Sequence, residues 1–403
     1  MHNGPPRAAR RLGHRPALDG LRGIAWGVVF VSHAVTLKVA VGQVSMFVFF
    51  ALSGFLITGL LLEEHAAAAR VSLGRFFTRR ALRLLPALVF FLAGWLVVVL
   101  ATGGHAAWTT TVPNGGQGSG TSALTALEGT GAALAYVTNW AEVCRWFTGY
   151  VPLGHLWSLA VEEQFYLLWS PAVALLVTRR SQTAVLWAAG AAAVASFVDV
   201  ALRDGGGLTL ALDMSTDTRA GAFLVGAVVA VAWARGAAWA RAVEERGARA
   251  TAVLSLGVMG WGSWVLAHHV ARPLFAATWI AVSVAAGLLV VSCLGNEGRR
   301  GRGIASSAMA TYVGRRSYAL YLWHYVWLTW LAGLGLAGIP LALGASVATA
   351  ELSWRLVERP ALALKRRFSG TPGPPLQPPA PPARLLGAPA QALGHATRVD
   401  IPL

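Results

Sequence analysis

The sequence predicts an all-α polytopic membrane protein of about ten transmembrane helices, with both termini cytoplasmic. Three observations carry that prediction. Hydrophobic residues make up 56% of the 403, and charged residues only 12%, about half the share of roughly 25% found in soluble domains. The apolar residues run in stretches long enough to cross a bilayer as helices. The cations partition: 28 of the 33 lysines and arginines fall in alternate connections, as positive-inside topology requires. Mean hydropathy of +0.57 excludes disorder. Strand-length alternation is absent, which excludes a membrane β-barrel. The net charge of +16 is explained by topology arginines, so no nucleic-acid partner is expected. Two cysteines, Cys144 and Cys293, fit neither a disulfide framework nor a zinc site, and no metal is expected.

Residues 1–15 form a basic cytoplasmic segment that leads into the first span with no small-residue cleavage site, so no signal peptide is expected. The membrane domain covers 16–368. Its first span is placed at 23–41 and carries Arg22 at the rim and His33 eleven residues on. On an ideal helix that is about 16 Å along the axis and about 20° from eclipsed, so both side chains share a face, with His33 near mid-bilayer. Such a pair suits a long substrate with an anionic head. It also suits a topology anchor and a helix–helix hydrogen bond. The second span, 43–62, contains Ser53-Gly54, read as a close-packing step rather than a nucleophile. Arg75, Arg79, Arg80 and Arg83 precede the third span, 84–102, with Pro86 in its first turn. Arg80 and Arg83 are helical neighbours that can share one polyanion.

Residues 103–155 make the longest outer loop, first rich in Gly, Thr and Ser, then aromatic through Tyr136, Trp140 and Trp146. The fourth span, 156–177, is the most polar: Glu162, Glu163 and Gln164 enter it in sequence, and Glu162 and Tyr166 share a face. Carboxylates there need partners inside the bundle. The fifth span is 183–201. Asp217 opens the sixth, 217–234, as an N-cap or first-turn acid. The seventh and eighth are 251–268 and 274–293. The ninth, 317–333, starts Ser317-Tyr318 and carries Tyr321 and His324 as a polar-tipped stripe. The tenth is 338–357. The Pro-rich tail, 369–403, is read as a disordered cytoplasmic extension.

In this order the segments resemble acyltransferase family 3, membrane proteins that O-acylate carbohydrates and other acceptors. The likeness runs from about Arg15 to Pro360. It rests on Asp19-Gly-Leu-Arg22 with His33, on Phe49-Phe-Ala-Leu-Ser-Gly-Phe-Leu-Ile-Thr58, and on Arg79-Arg80 with Arg83 before Pro86. Trp157-Ser-Leu-Ala-Val-Glu-Glu-Gln-Phe-Tyr166, Asp217-Thr-Arg219, Ser317-Tyr318 through His324, and Val357-Glu-Arg-Pro360 complete the set. There are departures. Ser45-Met46-Phe47 stand where the family commonly has Gly-Val and an acid. Ser170 is inserted between Trp169 and Pro171. Some members carry an extra extracytoplasmic hydrolase-like domain after the bundle; none is expected here, which weakens the expectation of any one polysaccharide.

The resemblance implies transfer of an acyl group, acetyl being the expected one, from cytoplasmic acyl-CoA as co-substrate to a hydroxyl of a carbohydrate or glycolipid acceptor, in the plasma membrane. Arg79, Arg80 and Arg83 would hold the CoA phosphates, with Arg22 joining them or orienting the arm. His33 would act as general base or transient acyl acceptor, with Glu162 in a catalytic role. Asp19, Glu163, Tyr166, Trp157, Tyr321 and His324 would support or line the acceptor side, and Trp140 and Trp157 would stack on a sugar. Two other readings fit the same polar interior: acylation of a small hydroxylated metabolite at the cytoplasmic side, and transport of a lipid-linked sugar.

Overall fold

The computed structural model describes residues 10, 12–35, 40–102, 122–147, 153–297 and 303–368. The expectations for 103–121 and 148–152 of the outer loop, for the tail 369–403 and for most of the basic segment 1–15 lie outside the described residues.

Helices stand at all ten predicted places. They are α1 (Pro16–Ala34), α2 (Val41–Ala68), α3 (Leu73–Ala101), then two short helices of the outer loop, α4 (Ala123–Leu134) and α5 (Thr138–Val143). There follow α6 (Trp157–Arg179), α7 (Gln182–Arg203), the short α8 (Leu210–Met214), α9 (Thr216–Ala234), the short α10 (Ala238–Ala242), α11 (Ala248–Ala267) and α12 (Arg272–Glu297). The chain ends in α13 (Ala308–Trp330), α14 (Gly338–Ser353) and α15 (Arg359–Phe368). No strand occurs among the described residues.

Among the described residues, seven helical stretches are long and apolar enough to cross a membrane. The three long helices that fall short are α1, α6 and α13. These are the three that carry Asp19 with Arg22, Glu162 with Glu163, and Arg315 and Arg316 with His324. Their polar content has an internal use, and α2 shows where. Its apolar window is 83% buried, against 28% for α7. A helix that is apolar all round belongs at the centre, and one with a bare apolar flank belongs at the lipid.

Glycines set how closely the central helices approach. A Cβ on Gly54 of α2 would stand 1.9 Å from the carbonyl oxygen of Phe223 in α9, and one on Gly226 of α9 would stand 1.9 Å from that of Ala51 in α2. Backbone meets backbone at this crossing because both helices offer a residue without a side chain. Gly314 does the same for α13 against Asp19 of α1. These contacts join α2 to α9 and α1 to α13, and packing of α1 against α2 brings the two pairs together.

Several boundaries differ from expectation: α2 runs on to Ala68 rather than 62 and α13 begins at Ala308 rather than 317, and two further shifts bear on the site. Helix α1 spans 16–34, not 23–41, so His33 lies in its last turn rather than halfway along a span. Pro16 at the first helical turn explains the early start, since its fixed φ favours helix initiation there. Helix α3 begins at Leu73, so the arginines lie within its first three turns and Pro86 is interior. Asp217 sits in the first turn of α9 behind the Ser215 cap, where it receives Arg203 at 2.6 Å.

Candidate active site

A cavity of about 800 Å³ opens between the N-terminal parts of α1 and α3 and the C-terminal part of α2, and runs inward to α6 and α13. Arg22, Arg79, Arg80 and Arg83 line it, with Asp19, Glu162 and Tyr166. The arginines are not equivalent. Arg79 reaches Glu64 at 3.5 Å. Arg80 is engaged on every side: its Nε and Nη2 donate to Glu163 at 2.9 and 2.7 Å, Nη2 reaches Glu162 at 3.5 Å, and the guanidinium lies 3.3 Å over the Tyr166 ring. Among the described residues, Arg22 and Arg83 have no carboxylate within ion-pair distance. Two unpaired cations on one cavity wall make an anion site.

Glu162 is held as firmly as Arg80. Its Oε1 accepts from Ser53 at 2.7 Å, from the Tyr166 hydroxyl and from Arg80. An oxygen with its lone pairs so occupied orients neighbours rather than taking a proton from a substrate. Ser53, which lines the cavity, spends its hydroxyl hydrogen on Glu162, while Gly54 beside it makes the helix contact. Tyr166 is buried and bridges Glu162 to Arg80.

His33 does not line this cavity. It belongs to a second cluster at the far end of α1. Its Nδ1 stands 2.9 Å from Nε2 of His324, with the two rings 5.1 Å apart. His155, in the turn Gly154–Leu156 before α6, joins them: its ring lies 5.7 Å from that of His324 and 5.0 Å from that of Tyr325. His324 is fully buried, His155 nearly so, and His33 is exposed. His155 was not singled out from sequence as a site residue. The available signal was a histidine one residue after a glycine, directly before the most polar span.

The partition between cavity and histidines is Tyr321. Its hydroxyl accepts from Ser158 at 2.7 Å and donates to the carbonyl of His155. Ser158 and Tyr321 both line the cavity, and the Tyr321 ring touches that of His324 at 5.4 Å. The two halves thus meet across one tyrosine.

The remaining residues frame these halves. Trp157 is buried against Arg219, whose guanidinium is packed among Phe47, Trp157 and Trp279 and paired with Asp213. Its ring presents no free face. Trp140 donates to Gln164 at 3.1 Å, and Gln164 in turn holds the Tyr136 carbonyl at 2.7 Å and Asn139 at 2.9 Å, which ties the outer-loop helix α5 to α6. Burial pushes the neighbouring Glu142 carboxyl above the ordinary carboxylate range. Asp19 receives His14 at 2.9 Å at the cavity mouth. Tyr318 lines the cavity with its hydroxyl buried and without a hydrogen-bond partner.

Comparison with known proteins gives one family. Residues 15–357 match the acyltransferase domain. SAS0844 of Staphylococcus aureus (strain MSSA476), which carries a provisional O-acetyltransferase name, is 26% identical over 370 residues, 87% of this chain and 58% of its own length. The O-acetyltransferase OatA of Staphylococcus aureus (strain NCTC 8325 / PS 47) is 26% identical over 368 residues, 86% of this chain and 57% of its own length. The chain therefore spans less than two thirds of these curated relatives. No solved structure matches.

Proposed function

The chain belongs to the acyltransferase domain family, and on that premise we propose that it is a membrane O-acyltransferase. It moves an acyl group, taken as acetyl from the names of its relatives, from acyl-CoA to a hydroxyl of a carbohydrate or glycoconjugate. The observation that carries this reading is the pairing of an arginine-lined cavity with a separate histidine cluster across Tyr321. An anionic head and a reactive end far from it are what such a site accommodates.

In this reading the cavity mouth is cytoplasmic. Arg22 and Arg83 take the CoA phosphates through charge-assisted hydrogen bonds. Arg80 does not bind donor directly; with Glu163, Glu162 and Tyr166 it braces α3 against α6, so that Arg83 is held in place. The pantetheine arm follows the face of α1 from Arg22 toward His33, a rise of about 16 Å. The Tyr321 side chain swings aside to admit the thioester. His33 takes the proton of the acceptor hydroxyl, which attacks the thioester carbonyl, and CoA leaves as the thiolate. The exposed side of His33 gives the acceptor its approach.

The test is release of free CoA by the detergent-solubilised protein, offered acetyl-CoA and longer acyl-CoAs. Slow hydrolysis with a preferred chain length supports the reading. Neither turnover nor binding of any acyl-CoA by well-folded protein would overturn it.

A further inference from the structure

We propose that His324 fixes the tautomer of His33, so that Nε2 of His33 is the basic nitrogen of the site. The inference deepens the acyl-transfer reading above and rests on it.

Hydrogen-bond partners settle which nitrogens carry protons. Nδ1 of His324 lies 2.7 Å from the backbone carbonyl of Tyr321. A carbonyl oxygen only accepts, so this nitrogen bears the hydrogen. His324 is fully buried, and no carboxylate contacts it among the described residues, so nothing there holds a second proton. A neutral imidazole has one N–H, which leaves Nε2 of His324 as an acceptor. Its neighbour is Nδ1 of His33 at 2.9 Å. His33 must therefore donate from Nδ1, and its own Nε2 is bare. Among the described residues no side chain occupies that nitrogen, and His33 is exposed. His155 does not compete. Its Nε2 faces the Leu322 carbonyl at 3.2 Å, and its Nδ1 is buried without a partner.

The consequence for the step is specific. The acceptor hydroxyl gives its proton to Nε2 of His33 as its oxygen bonds the acyl carbon and the carbon–sulfur bond breaks. The imidazolium so formed keeps its Nδ1–H on His324, where the hydrogen bond strengthens as charge develops. Nε2 then returns the proton to the departing thiolate. His324 touches no substrate and is a positioning residue.

The experiment compares kcat and donor KM for acetyl-CoA turnover in full-length wild type, His324→Gln, His324→Phe and His33→Ala. Glutamine places an acceptor oxygen near the former Nε2; phenylalanine fills the volume and accepts nothing. The expected result is a kcat loss of about 10–100-fold for His324→Phe, by analogy with the loss of the partner that orients a metal-bound histidine. His324→Gln should recover most of that loss, and donor KM should stay constant in both. Equal kcat in the two variants, or a raised donor KM in either, would overturn the inference while His33→Ala remains inactive. An active His33→Ala would overturn the acyl-transfer reading with it. Should the variants fail to fold, nitrogen-15 NMR of histidine-labelled wild type reads the same point: an Nδ1–H tautomer at His33 is expected, and an Nε2–H tautomer contradicts it.

Discussion

At the scale of single residues, the division of labour among charged groups follows from pairing. Arg80 and Glu163 satisfy each other through two short hydrogen bonds, and removing one partner leaves the other poorly solvated. Glu163→Gln should lower stability by about 1.5–3 kcal/mol, the value of a hydrogen bond to a charged group. Thermal unfolding in detergent measures it, and donor KM should rise only together with the loss of stability, since the pair holds Arg83 in place. A raised KM at unchanged stability would instead give Glu163 a direct part in donor binding. That His33, Glu162 and His324 need partners inside the bundle was legible in the sequence, because an ionisable group in an apolar run stands out; Arg22 and Arg80, at helix entrances, stood out only through the family resemblance. Their pairings were not. Nothing in the spacing of α3 and α6 says that Arg80 is consumed by two glutamates while Arg83 stays unpaired. His155 escaped notice because it falls just outside an apolar run, where a histidine costs nothing in lipid.

At the scale of elements, apolar runs and charge anticipated a long helix at each of ten places, seven of them apolar enough to cross a membrane among the described residues, but misplaced the ends that matter most. Pro16 starts α1 early, and the chain leaves the helix after Ala34; both shifts move His33 toward the end of its helix. The arginine run extends α3 because arginine is a good helix former, so a basic stretch that reads as a connection is helical. The α2–α9 crossing is the joint on which the central bundle depends, since carbonyl oxygens occupy the space next to Gly54 and Gly226. Gly226→Val should separate the helices and cost at least the ~1–3 kcal/mol of a typical overpacking. A lowered melting temperature with weakened turnover is the expected outcome. Unchanged melting would mean that the two backbones do not meet there.

At the scale of the whole molecule, the three long helices too polar to count as apolar spans, α1, α6 and α13, meet the apolar α2 and the arginine-bearing start of α3 at the site. Polar content that would be costly against lipid is satisfied inside the bundle. The arrangement also fixes an orientation that can be checked with the native thiols. Cys144 is exposed at the end of α5, and Cys293 is buried. With the arginine end cytoplasmic, a membrane-impermeant maleimide should label Cys144 on intact cells and leave Cys293 unmodified. Labelling of Cys144 only after permeabilisation would reverse the orientation and with it the side from which donor enters.

The central claim is that donor binding and chemistry reside in two places, the arginine cavity and His33. The most direct measurement determines acetyl-CoA affinity and turnover separately for wild type, Arg83→Ala and His33→Ala. The account predicts that Arg83→Ala weakens donor binding about tenfold or more, the value of one charge-assisted hydrogen bond, with kcat largely kept. His33→Ala should bind donor as wild type does and turn over none. Loss of binding in His33→Ala, or full turnover without the histidine, would contradict it.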